Sequence, residues 1–163
     1  MKSSNGEIAE KLFLEACALQ GWSAAKIPTG LTKTPDYKVE SKSGSYIAEV
    51  KQISLSGYEL GKAHSFKVGA KIRSAIGDAK NQLRDLELPT MLVVCDLRGA
   101  GLATYENIVA AMYGELTVTV DKHTGAIEGP FHGRNAQMRN NVNTSISAVA
   151  QVSYDLTNYD GNQ

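Results

Sequence analysis

The sequence predicts an α/β domain in which a mixed sheet is flanked by helices. Three observations carry that reading. Stretches with apolar residues at helical spacing alternate with short runs rich in β-branched and aromatic residues. Up to Asp96 the order is helix, two or three strands, helix, strand. The last of these, T-M-L-V-V-C-D over 90–96, is continuously apolar in its middle, as in a strand covered on both faces.

The elements follow in order. Ser4 with Glu7 three residues later forms a capping box, and Ile8, Leu12, Phe13, Ala16 and Leu19 then recur at helical spacing up to Gly21, a helix stop. This predicts an amphipathic helix over 5–20, with Glu7, Glu10, Lys11 and Glu15 at its polar positions. Residues 22–27 read as a short extended segment and 28–33 as a turn. Tyr37 and Val39 mark one strand, and Tyr46, Ile47, Ala48, Val50 and Ile53 a second, joined by Ser41, Ser43, Gly44 and Ser45. Residues 54–67 carry two glycines, Gly57 and Gly61, and no clean periodicity, which predicts a loop. Val68, Ile72, Ala75, Ile76, Ala79, Leu83 and Leu86 predict a helix that Pro89 ends. Beyond Asp96 the pattern predicts a helix over 104–112, a strand over 116–120, a turn at D-K-H-T-G, a polar loop from Ile127 to Asn143, and a closing strand or buried segment over 145–152.

Composition bounds the function. A chain of 163 residues with 42% hydrophobic and 21% charged residues is that of one globular domain, 1–163. No apolar run is long enough to span a bilayer, and no apolar stretch follows the first residues as in a secretory leader. A cytoplasmic protein with no membrane partner is expected, and Cys17 and Cys95 read as reduced core thiols. The net charge is zero, but residues 22–84 hold 11 Lys and Arg against 5 Asp and Glu. His64, His123 and His132 lack zinc-ligand spacing. No nucleophile elbow, dinucleotide fingerprint or P-loop is present.

The second hairpin strand carries the chemistry. Glu49 and Lys51 sit inside an apolar run and share a face, because side chains alternate along a strand. Buried charges are costly unless paired or metal-bound. An ion pair is the simplest reading. Asp36, at the start of the first strand, adds a second one: two carboxylates side by side are tolerated when a divalent cation lies between them, and a neighbouring lysine can orient or deprotonate a water on that cation.

Pro35-Asp36 followed by Glu49-Val50-Lys51 resembles the PD-(D/E)XK signature of restriction-endonuclease-like nucleases, and the element order resembles their α-β-β-β-α-β core. The resemblance covers about residues 7–96 and leaves 97–163 as a C-terminal β/α extension. It implies a metal-dependent nuclease that hydrolyses phosphodiester bonds, with DNA the foremost partner and a homodimer compatible. It implies Mg2+ or Mn2+ bound by Asp36, Glu49 and the Val50 carbonyl, Lys51 as the catalytic cation, and Glu10 on the leading helix as a supporting ligand. Lys62, His64 and Lys67, in the loop that leaves the strand of Glu49 and Lys51, and Arg73, off the apolar stripe of the following helix, are candidates for nucleic-acid contact, and the resemblance adds Lys80 and Gln82 on that helix. Two alternatives stand beside it: a catalytically inactive DNA-binding or assembly module of the same fold, and an unrelated α/β interaction protein in which Glu49 and Lys51 are a structural ion pair.

Overall fold

The computed structural model describes residues 5–30, 34–53, 68–96, 103–139 and 142–153. Among them the elements run α1 (Asn5–Leu19), β1 (Ser23–Lys26), β2 (Tyr37–Ser41), β3 (Gly44–Ile53), α2 (Val68–Gln82), β4 (Thr90–Asp96), α3 (Tyr105–Tyr113), β5 (Leu116–Val120), β6 (Ile127–His132) and β7 (Ala148–Ser153). The expected Ser4 cap and the 54–67 loop lie outside the described residues, as do Lys62, His64 and Lys67.

Five strands form one mixed sheet in the order β1-β2-β3-β4-β7. β1, β2 and β3 are antiparallel neighbours, whereas β3, β4 and β7 run parallel. Alternation along β3 divides the core. Ala48 and Val50 face α1, where Ala9, Phe13 and Cys17, one helical turn apart, pack with Tyr37, Val39, Val93 and Cys95. Ile47 and Ile53 face the other side, where Ile72, Ile76, Ala79 and Leu83 of α2 and Ile108 and Ala111 of α3 pack over Leu92 and Val94. Glu49 and Lys51 therefore lie on the α2 side of the sheet.

Helix ends follow local chemistry. α1 stops in a Schellman turn: Gly21 has φ +68, the Trp22 N–H donates to the Cys17 carbonyl, and the Gly21 N–H donates to that of Ala18. α2 ends at Gln82, earlier than Pro89 requires, because Asp85 already adopts a left-handed φ of 58. Thr104 caps α3 by accepting from the Asn107 N–H at 3.3 Å. Gly114 closes α3, and a Cβ there would stand 2.3 Å from the Gly133 carbonyl oxygen, so only glycine fits.

One expectation fails in the extension. Gly129-Pro130 marks 127–143 as loop by composition, yet 127–132 pair with β5 in a separate two-stranded ribbon. Both strands of this ribbon are edges, where a proline missing its N–H is tolerated. The ribbon leaves Leu116, Val118, Val120 and Ile127 exposed. No described helix is long and apolar enough to cross a membrane.

Candidate active site

The β2–β3 hairpin sets the geometry. Tyr37 pairs with Ala48, so Asp36 stands one step further along, across from Glu49. The Val50 N–H donates to Asp36 Oδ2 at 2.8 Å, which fixes the carboxylate beside β3. Glu49 is 1% exposed. Its Oε1 accepts from Lys51 Nζ at 2.5 Å, while its Oε2 has no hydrogen-bond partner. Burial pushes the Glu49 carboxyl above its ordinary range and the Asp36 charge adds to that, whereas Lys51 pulls the other way.

Gln82, in the last turn of α2, completes the cluster. Its Oε1 accepts from Lys51 Nζ at 3.1 Å, and its Nε2 donates to the Thr34 carbonyl at 3.4 Å. The same amide approaches Glu49 and favours its charged form. Thr34 Oγ1 is itself buried without a partner, so two orphaned polar atoms belong to residues of one cluster. A cavity of about 180 Å³ opens beside Lys51, lined also by Lys71, Ser74 and Asp78.

Glu10 is placed differently from the sequence expectation. It reaches over from α1, where Glu10 Oε2 accepts from the Tyr37 hydroxyl at 2.7 Å and pairs with Lys26. Burial raises its pKa, but the Lys26 and Tyr37 hydrogen bonds outweigh that and the net shift is downward. Burial first, then the hydrogen bond to Glu10 and the Glu10 and Asp36 charges, raise the Tyr37 hydroxyl. Among the described residues no three His, Cys, Asp or Glu side chains are grouped to hold a metal, so Glu10 does not join Asp36 and Glu49 in one cluster. The cause is packing: α1 covers the sheet face of Tyr37 and Ala48, the reverse of the Glu49 face.

The basic residues of α2 also divide. At 100° per residue Arg73 and Lys80 lie roughly opposite Gln82 on the helix. Arg73 pairs with Glu115 at 3.3 Å, and Lys80 lines a cavity at the far side of the helix. Only Gln82 of these three reaches Lys51. Sequence reasoning missed Tyr37, Lys26 and Thr34 as partners. Tyr37 had a signal, being next to Asp36 on the reverse face. Lys26 had none, because it meets Glu10 only through the pairing of β1 with β2.

The oxygens that the resemblance assigns to the ion, from Asp36, Glu49 and the Val50 carbonyl, are all hard donors of the kind that suit Mg2+ or Mn2+. A buried carboxylate oxygen with no protein partner is the atom such a cation would satisfy, so the residues present fit the ion.

Neither a protein-family model nor a curated protein matches the chain. Among solved structures, the chain is similar to SfsA of Pyrococcus furiosus in complex with Ca2+, at 22% identity and a TM-score of 0.25. The match covers 56% of this chain and 38% of that protein.

Proposed function

We propose that the chain is a restriction-endonuclease-like nuclease that hydrolyses phosphodiester bonds, DNA foremost, at a site built from Asp36, Glu49 and Lys51. The observation that carries this is the buried Glu49 carboxylate beside Asp36, with Lys51 on one oxygen and no hydrogen-bond partner on the other. A purely structural ion pair has no need of a second carboxylate alongside, since like charges raise each other's cost. The helix, three strands, helix, strand order agrees with the fold of that nuclease class.

In this reading Asp36, Glu49 and the Val50 carbonyl would hold Mg2+ or Mn2+, which would supply a water of lowered pKa and positive charge for the phosphoryl group. The chain's own residues do the positioning. Asp36 is locked by the Val50 N–H, so its free lone pairs have a fixed direction. Lys51, held between Glu49 and Gln82, presents a directed ammonium to the phosphate oxygens as charge grows on them. Gln82 orients that ammonium and acts through it, as a positioning residue. A cytoplasmic protein, acting singly or as a homodimer, fits this role.

The test is cleavage of supercoiled plasmid and of labelled single-stranded DNA with Mg2+, Mn2+ or EDTA. Wild type cuts only with metal. Asp36→Asn, Glu49→Gln and Lys51→Met each lose activity by at least about 100-fold while keeping the wild-type circular dichroism spectrum. Three variants that cut like wild type overturn the assignment.

One observation favours a second reading, an inactive module of the same fold. Asp36 already accepts from Val50, and Glu10 is engaged by Lys26 and Tyr37. Calorimetric titration with Mn2+ separates the two readings, since the inactive module binds no ion.

A further inference from the structure

We propose that a basic groove between the end of α2 and residues 134–139 and 142–147 binds a nucleic-acid strand by its phosphates, without metal and apart from Glu49 and Lys51. Two cavities of about 550 and 780 Å³ share Val142, Asn143 and Thr144 in their walls and so are neighbours on one surface path that a strand can follow. Lys80 and Arg84 line the first, and Arg134 and Arg139 the second, against one acid, Asp85. In a chain of zero net charge that is a marked local excess.

The pairing pattern sharpens it. Lys11, Lys26, Lys38, Lys51 and Arg73 are each in ion pairs. Among the described residues none of the four groove cations has an acidic partner within ion-pair distance, a state shared elsewhere by Lys42, Lys71 and Lys122, which are spread over other elements. Arg84, Arg134 and Arg139 are exposed, and Lys80 is half-buried. Tyr113, 48% exposed and 6.1 Å from the His132 ring, stands in the wall of the second cavity and offers a face on which a base can stack. Guanidinium groups match phosphate oxygens in paired geometry. The groove lies on the side of α2 away from Gln82, so it serves to hold the strand, not to cut it.

The identity of the polyanion rests on the nuclease reading, but the test does not depend on cleavage. Anisotropy of a fluorescein-labelled 20-nucleotide single-stranded DNA is read in EDTA across a range of NaCl. Arg134→Ala/Arg139→Ala is expected to weaken binding by roughly tenfold, and to flatten the slope of log K against log salt by about 1.4 for two lost phosphate contacts. Arg84→Ala weakens it by about threefold. Lys11→Ala/Lys38→Ala removes equal charge elsewhere and leaves affinity within about twofold. Glu49→Gln, which stops cleavage under the nuclease reading, binds at least as tightly as wild type. No binding by wild type, equal loss in the Lys11/Lys38 control, or full affinity in the Arg134/Arg139 variant overturns the groove. Absence of metal-dependent cleavage with binding intact overturns the nuclease reading alone.

Discussion

Replacing Glu49 by glutamine tests whether this carboxylate is kept at a cost to stability. Glu49 is 1% exposed, one oxygen has no partner, and burial with the Asp36 charge raises its pKa. A carboxyl whose pKa rises on folding binds its proton more tightly in the folded chain. It therefore costs stability above the raised pKa. That cost fades as the pH falls through it and is gone below the ordinary value of 4.5. A buried acceptor without a partner costs about 1–3 kcal/mol and more when it is charged; glutamine keeps a polar atom there and relieves the charged part. Losing the Lys51 pair gives back up to about 1 kcal/mol, because Lys51 is 29% exposed and partly screened. The net effect of Glu49→Gln at pH 7.5 in EDTA is a gain of about 1 kcal/mol, or 2–4 °C in Tm for a chain of this length. The gain disappears near pH 4. Mn2+ at a hundredfold excess over its Kd stabilises wild type by about 2.7 kcal/mol and leaves the variant unmoved. Differential scanning fluorimetry at both pH values, with and without Mn2+, reads all of this. A variant that melts below wild type in EDTA at pH 7.5 refutes the reasoning, because Glu49 would then be a satisfied structural group.

Other perturbations follow from the same contacts. Lys51→Met strands the Glu49 charge; a fully buried pair broken this way costs about 3–5 kcal/mol, and the partial exposure of Lys51 reduces that to about 1–3 kcal/mol. Urea melts should show this loss at pH 7.5 and much less of it near pH 4, where Glu49 takes up its proton. Glu10 has the opposite sign: its pKa is lowered by Lys26 and Tyr37 against the effect of burial, so it stabilises above 4.5 and that contribution is lost as the pH falls through the lowered value. Glu10→Gln is accordingly less stable than wild type at pH 7 by up to about 1 kcal/mol, and chemical melts over an acid pH series show the difference shrinking once the pH falls below 4.5. Thr104→Ala removes the α3 cap and costs about 1 kcal/mol at any pH between 5 and 8, visible as a Tm drop of a few degrees.

Much of the architecture is legible in the residue pattern. The stop of α1 before Gly21 and the strand limits at 90–96 and 116–120 follow from apolar periodicity and turn residues. The failure at Ile127–His132 is instructive. Gly129 and Pro130 read as loop formers, and nothing local reveals that the segment lies at the edge of a ribbon, where the missing N–H has no strand to serve. The early end of α2 has a similar source, since Asp85 turns left-handed while Leu83 is still buried in the core.

The candidate site divides along the same line. That Glu49 and Lys51 share a face, and that Asp36 comes opposite Glu49, follows from alternation and from a short turn, both properties of neighbouring residues. Which helix covers that face is a different kind of fact. Gln82 meets Lys51 across 31 positions, Lys26 meets Glu10 across 16, and Arg73 is drawn to Glu115 across 42. Each of these depends on how apolar stripes dock on the two sides of the sheet. Periodicity says that a helix has a buried face. Only the packed core decides which polar residues, a quarter-turn or a half-turn away from that face, are carried to the carboxylates and which are carried away.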